Sequence, residues 1–206
     1  SWTPGIWLEY PNAPTEQLYT NQIAPYYRAP HLYLGFPTRY IGERDSATEG
    51  LFMSSRDGLV FDRWGEALIR PGLNPARWGN RSNYIWLGMV ETESDIPGAP
   101  KELSIYSIEG YYKGASDRVR RFTYRIDGFV SVNAPLAGGE MLTKPLNFSG
   151  SQLEINYSTS AAGSLRVEIQ DEAGSPEPGF ALKDSQEIFG DELSRIVMWN
   201  GGKSLT

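Results

Sequence analysis

The sequence predicts an almost entirely β chain, and three observations carry that expectation. Aromatics are abundant, with 12 Tyr, 6 Trp and 8 Phe, while 22 Gly and 14 Pro imply many turns. That mixture favours short strands over helices. The stretch Leu18 to Trp64 (LYTNQIAPYYRAPHLYLGFPTRY, a polar gap, then TEGLFMSSRDGLVFDRW) also alternates apolar with smaller groups at a period near two, as half-buried strands do. Within it, Asp57-Gly58 sits between two apolar runs, a strong hairpin signal. Finally, a shift of seventy residues lays Phe122-Thr-Tyr-Arg-Ile-Asp127-Gly128-Phe-Val130 over Phe52-Met-Ser-Ser-Arg-Asp57-Gly58-Leu-Val60. A repeated four-stranded meander of this size has the look of a β-propeller blade.

Taken in order, residues 1–16 hold four apolar anchors (Trp2, Ile6, Trp7, Leu8) and three prolines. They read as an irregular segment packing on the first meander. In the meander of 18–64, strands are expected over His31–Tyr40 and Glu49–Ser54, with a third after Asp57-Gly58. Residues 65–79 form a loop with a helical turn around Pro75 to Trp78. Ser82 to Val90 resumes an apolar strand with Gly88 as a bulge. Glu102–Tyr112, Arg118–Ile126 and Phe129–Val132 complete a second meander, so 1–134 reads as a propeller portion with blades near 18–64 and 82–134. A helical period is otherwise visible only at 184–195.

Composition shifts near Ala134 to Gly139. Beyond it, Met141–Phe148, Gln152–Thr159, Ser164–Gln170 and Ile196–Trp199 are expected strands of a β-sandwich over 139–206. Leu153-Glu-Ile-Asn-Tyr and Leu165-Arg-Val-Glu-Ile alternate apolar with polar, one face towards a core and one towards water. The last residues form a turn with no strand behind it, so the sandwich is expected to want a further strand, and its open edge to pair with another copy. The first residues likewise read as the middle of a longer protein.

Several function classes are disfavoured. A net charge of −6 argues against a nucleic-acid backbone as partner. No run approaches the apolar length of a membrane span. Without cysteine, neither disulfides nor thiolate metal sites are available. The compartment stays open, export from a bacterium being compatible with all of this. Asp171, Glu172, Asp184, Asp191 and Glu192 are scattered over turns, where solvated acids are commoner than a calcium site, so neither metal nor cofactor is expected.

The stretches LYTNQIAPYYRAPHLYLGFPTRY, SRDGLVFDRW, RFTYRIDGFVSVNAP, GGEMLTKPLNFSG and VEIQDEAGSPEPGFALKDSQEIFGDELSRIVMWNGG resemble the C-terminal half of a bacterial family abundant in planctomycetes. Its members look like five-bladed β-propeller glycosidases, in the manner of glycoside hydrolase families 32 and 43, followed by a β-sandwich. The resemblance implies a carbohydrate-active protein with a carbohydrate ligand. It places the catalytic acids in earlier blades, before Ser1, which leaves the catalytic residues of this chain unknown. A non-catalytic carbohydrate-binding or structural portion is the alternative.

Within that frame Asn21, His31, Arg39, Glu49, Asn83 and Glu109 are the candidate substrate-binding residues. His31, the single histidine, is of a residue type that serves as proton donor or sugar hydrogen-bond partner, although a structural role at a strand start is commoner. Glu49 and Glu109 sit at similar points of the two meanders, where a carboxylate could face a sugar; charges at exposed strand edges are the commoner reading. Arg28, Arg39 and Tyr40 join Asn21 as a polar set able to hold hydroxyls or a carboxylate, and Arg81 and Glu91 accompany Asn83 and Glu109. Asp57 resembles the turn acid of the Asp-box hairpins in sialidase propellers and has a structural role. The acceptor patterns at Asn80, Asn147 and Asn156 carry no weight in a bacterial protein.

Overall fold

The computed structural model of the chain describes residues 2–78, 82–111, 118–202 and 205. Asn80, Arg81 and Tyr112, singled out above, lie outside them. The protein is nearly all-β, with 34% of residues in strands, several antiparallel sheets of which none closes, and no α-helix among the described residues. The chain divides into two compact units. One comprises Ser1–Glu93 and Glu102–Thr123, the other Ser94–Lys101 and Tyr124–Thr206.

The first unit is built on a long kinked hairpin. Strands β1 (Leu18–Tyr19), β2 (Ala24–Tyr26), β3 (Ala29–Gly35), β4 (Thr38–Ile41), β5 (Ala47–Gly50), β6 (Met53–Ser55) and β7 (Asp62–Arg63) form two sheets, β2-β3-β6-β7 and β1-β4-β5. The expected single strands over His31–Tyr40 and Glu49–Ser54 are therefore each split in two. Register shows that the halves belong together. Tyr33 pairs with Ser55 and Gly35 with Met53 below the break, Thr38 with Gly50 and Ile41 with Ala47 above it, with no residue gained or lost between. The break falls at Pro37, which has no N–H to give. Leu51 N–H still donates to Pro37 O at 2.8 Å, so one bond of the pair survives. On the outer side Phe36 N–H reaches Asn21 O (2.8 Å) and Tyr40 N–H reaches Gln17 O (2.9 Å), carrying the β1–β2 segment along the same arm. Thr20 and Gln22, both at positive φ, lie where that segment shifts register.

The kink closes a core. Leu34, Phe36, Leu51, Phe52, Met53, Phe61 and Ile69 are buried, each side chain adding about 1.5–3 kcal/mol by leaving water. Phe52 is tilted against both Phe36 (centroids 5.8 Å apart) and Trp64 (5.2 Å). A Cβ on Gly35 would stand 2.5 Å from Met53 Cε, and one on Gly50 would stand 2.6 Å from Ile85 Cδ1. Both glycines are required by close packing. The leading segment joins through Glu9, whose N–H and C=O meet Leu59 and Phe61 at 2.9 Å each. Of the four expected anchors only Leu8 is half-buried, whereas Trp2, Ile6 and Trp7 are exposed. They precede Glu9, where the backbone pairing starts, so nothing draws them inward.

A third sheet of this unit has the order β10-β9-β8, with β8 at Val90–Thr92, β9 at Glu102–Glu109 and β10 at Arg118–Arg125. β9 is its buried strand: Leu103, Ser104, Ile105, Ser107 and Glu109 are covered. Residues 83–86 extend β8 along β9, but the partner of Ile85 is Ser107 while that of Val90 is Ser104. The two-residue shift lies across Gly88, at φ 90°, the expected bulge. A 3-10 turn at Pro75–Arg77 occupies the expected helical position. The fourth strand expected at Phe129–Val132 does not form; Val130 and Val132 are exposed.

The second unit pairs β11 (Glu154–Ser158) with β12 (Asp191–Ile196), antiparallel, with a register shift between Ile155 and Tyr157. Its core is Tyr157, Ile188, Val197 and Trp199, flanked by Ile155, Leu165, Val167 and Phe180. Trp199 donates Nε1–H to Val167 O (3.0 Å), and Phe180 meets its ring edge-on at 5.1 Å. Ser164–Gln170 contributes isolated bridges rather than a strand, and 184–195 is not helical. The strand expected at Met141–Phe148 is absent: Met141, Leu142, Leu146 and Phe148 are exposed, and the segment has no ladder partner.

Candidate functional site

An open cleft of about 800 Å³ lies beside the upper half of the kinked hairpin. Its lining includes Glu16, Gln17, Arg39, Tyr40, Glu49 and Arg70. Arg39 and Glu49 are cross-strand partners on β4 and β5, so the antiparallel pairing itself brings guanidinium to carboxylate. Arg39 donates from Nε (3.2 Å) and Nη2 (2.6 Å) to Glu49 Oε2, and from Nη1 to Glu16 Oε1 (2.9 Å) and Gly65 O (3.0 Å). Burial alone would lower the Arg39 pKa, but the bonds to Glu49 and Glu16 outweigh it and raise it. Glu16 spends its second oxygen on Arg63, which is 1% exposed, donates from Nη2 to Pro14 O at 2.6 Å and lies over the Tyr10 ring.

A second ionic group gathers on β9. Glu109, 1% exposed, accepts from Arg118 Nε (2.9 Å) and Arg120 Nη2 (3.1 Å) at Oε2. Its Oε1 lies 2.9 Å from Arg77 Nε and 2.5 Å from Arg120 Nε, with neither N–H aligned on it. Burial by itself pushes the Glu109 carboxyl up, yet Arg120, Arg118 and the charge of Arg77 prevail and hold it below the usual carboxylate range. Asn83, fully buried and at φ 64°, is the link to the hairpin. Its amide donates to Thr48 O (2.9 Å) and Arg77 O (3.1 Å), and its Oδ1 accepts from Arg77 Nε (3.2 Å).

Of the six candidates, the fold brings Arg39 and Glu49 together in the cleft and joins Asn83 and Glu109 through Arg77. It does not bring Asn21 or His31 to either group. Both are exposed on the β1–β3 stretch, and Asn21 contributes its backbone carbonyl to the ladder. Glu49 and Glu109 are buried, not exposed strand-edge charges. Tyr40 lines the cleft and donates to Ser46 Oγ (2.8 Å), and Glu91 accepts from Tyr27 (2.9 Å) on the surface. Sequence reasoning passed over Glu16, Arg63, Arg77, Arg118 and Arg120. Glu16 sits in a proline-rich stretch without periodicity and carried no signal. Arg118 and Arg120 alternate on one strand face, a signal that could have been read.

Chemically the cleft is equipped to bind. A glycosidase needs one carboxyl that donates a proton and another group acting across the same bond. Glu16 and Glu49 instead share one guanidinium, each as a hydrogen-bond acceptor. Among the described residues no group of three or more His, Asp or Glu could hold a metal ion, and no helix is long and apolar enough to cross a membrane. Compared with protein-family models, curated proteins and solved structures, the chain matches none of them.

Proposed function

We propose that this chain is a saccharide-binding portion of a β-propeller glycosidase, with its two meanders as successive blades and residues 139–206 as a sandwich module. The observation that carries the reading is the polar cleft floored by Arg39 between Glu16 and Glu49. Sugar hydroxyls are served by fixed acceptors and donors of this kind, and the half-buried Tyr40 ring adds an apolar wall. The chain binds without cleaving, because the two carboxylates at the floor of the cleft, Glu16 and Glu49, are committed to arginine and Glu109 is enclosed by three.

The test is a titration of the 206-residue chain with neutral and acidic oligosaccharides from plant and algal polysaccharides, by calorimetry or amide chemical shifts. Saturable binding is expected, weakened about tenfold or more by Arg39→Gln or Glu49→Gln, since each removes charge-assisted hydrogen bonds. Aryl glycosides should not turn over. Hydrolysis that disappears in Glu49→Gln or Glu109→Gln would replace binding with catalysis. Absence of any binding would leave the purely structural reading.

A further inference from the structure

We propose that the arginines gathered on Glu109 form an anion-binding site, which takes a phosphate, sulfate or carboxylate group between Arg118 and Arg120. The inference stands apart from the saccharide reading of the cleft. It rests on a count of charge and on where that charge is exposed. Among the described residues one carboxylate faces three guanidinium groups, a surplus of two positive charges in a chain of net charge −6. The negative partner is sealed inside, and Arg77 beside it is 12% exposed. The surplus is carried to the surface by Arg118 and Arg120, whose side chains are 51% and 46% exposed.

The groups are also organised before any ligand arrives. Arg77 is held from behind by Arg70 O (2.7 Å), Asn83 Oδ1 (3.2 Å) and the Phe122 ring, 5.6 Å from its guanidinium carbon. Glu109 fixes Arg118 by Nε and Arg120 by Nη2, which sets both planar forks while further Nη donors remain on each. Such forks match an oxyanion by paired hydrogen bonds. Like charges this close repel, and an incoming anion relieves that repulsion. The Arg77 pKa agrees with this: burial lowers it first, and the charges of Arg120 and Arg118 add to the lowering against the pull of Glu109.

The experiment titrates the whole chain with inorganic phosphate, sulfate and acetate at constant ionic strength, following amide shifts and calorimetric heat. At least one anion should bind saturably, more weakly as salt rises, and the one preferred identifies the chemistry of the natural ligand. Arg118→Gln combined with Arg120→Gln should weaken binding about tenfold or more, while Arg166→Gln in the other unit leaves it unchanged. If the double variant does not fold, Arg120→Lys keeps the charge and loses the fork, and binding must weaken there instead. Three results would overturn the proposal: no saturable binding by any anion, binding indifferent to Arg118 and Arg120, or a loss shared by Arg166→Gln.

Discussion

The two Asp-Gly segments, seventy residues apart and alike in sequence, fold differently, and the difference lies in their neighbours. At the first, Asp57 accepts from Leu59 N–H (2.8 Å) and Val60 N–H (2.9 Å), while Ser55 Oγ donates to its carboxylate and accepts from Gly58 N–H. Gly58 takes the positive φ of 75°, and the chain reverses into β7. At the second, Arg125 stands where Ser55 does. Its guanidinium leaves the turn for Asn156 Oδ1 (2.5 Å), Tyr157 O (3.0 Å) and Asp191. Asp127 itself takes the positive φ, and Gly128 N–H closes back on Arg125 O at 3.0 Å. After the turn, fully buried Phe61 has Ser131 as its counterpart. A strand with no apolar anchor has nothing to hold it to the sheet. The two segments are alike in sequence, but one absent hydroxyl cap and one absent phenyl ring leave the second open.

The largest effect that would break this comparison is in the anchor. Phe61→Ala should cost roughly 3–5 kcal/mol in urea unfolding, because it empties a fully buried site. Val130→Ala should stay within about 0.5 kcal/mol. Comparable losses would show that the second fourth strand is packed after all. Of similar size is the contrast between the two acids. Glu109→Gln removes the carboxylate shared by three arginines and should cost roughly 3–5 kcal/mol, whereas Glu49→Gln leaves Arg39 paired with Glu16 and should cost about 1–3 kcal/mol. The Glu109 effect has a definite pH dependence. Its folded pKa is depressed, so its stabilisation is complete above the unfolded glutamate value near 4.3 and fades as pH falls below it. Wild type and Glu109→Gln should therefore converge in stability in acid; a gap that persists there would show that the carboxylate charge is not what matters.

Tyr124, standing where the first copy has Ser54, sharpens the comparison at the other end of the pH scale. Burial pushes its hydroxyl up to about 12. The folded value exceeds the unfolded one near 10, so stability is complete below about pH 10 and falls between 10 and 12. After allowance for partial exposure the fall is about 1–2 kcal/mol, and Tyr124→Phe should abolish it. The smallest contrast is between the turn acids. Three hydrogen-bond donors hold the Asp57 carboxyl below the usual range, the N–H groups of Leu59 and Val60 first and the Ser55 hydroxyl after them. Asp57→Gly should lower the melting temperature. Asp127→Gly should not, because glycine relieves a positive φ; equal losses would make the two turns equivalent.

The β character of the chain, the Asp57-Gly58 hairpin and the Gly88 bulge were legible in the residues, because each depends on neighbours within a few positions or on one strand period. What the residues did not disclose depends on who stands opposite. Pro37 splits a strand only because its partner Leu51 finds no N–H there. Met141 to Phe148 has strand-like residues and no ladder to join, since β propensity is realised only by a neighbour supplying hydrogen bonds. Glu16 is unremarkable in its own stretch and becomes half of an ionic clamp when Arg39 and Arg63 reach it from strands twenty-three and forty-seven residues away. Local sequence determined where this chain extends and where it turns. Tertiary structure decided which strands found partners and which charges were enclosed, because burial and pairing are properties of two segments at once.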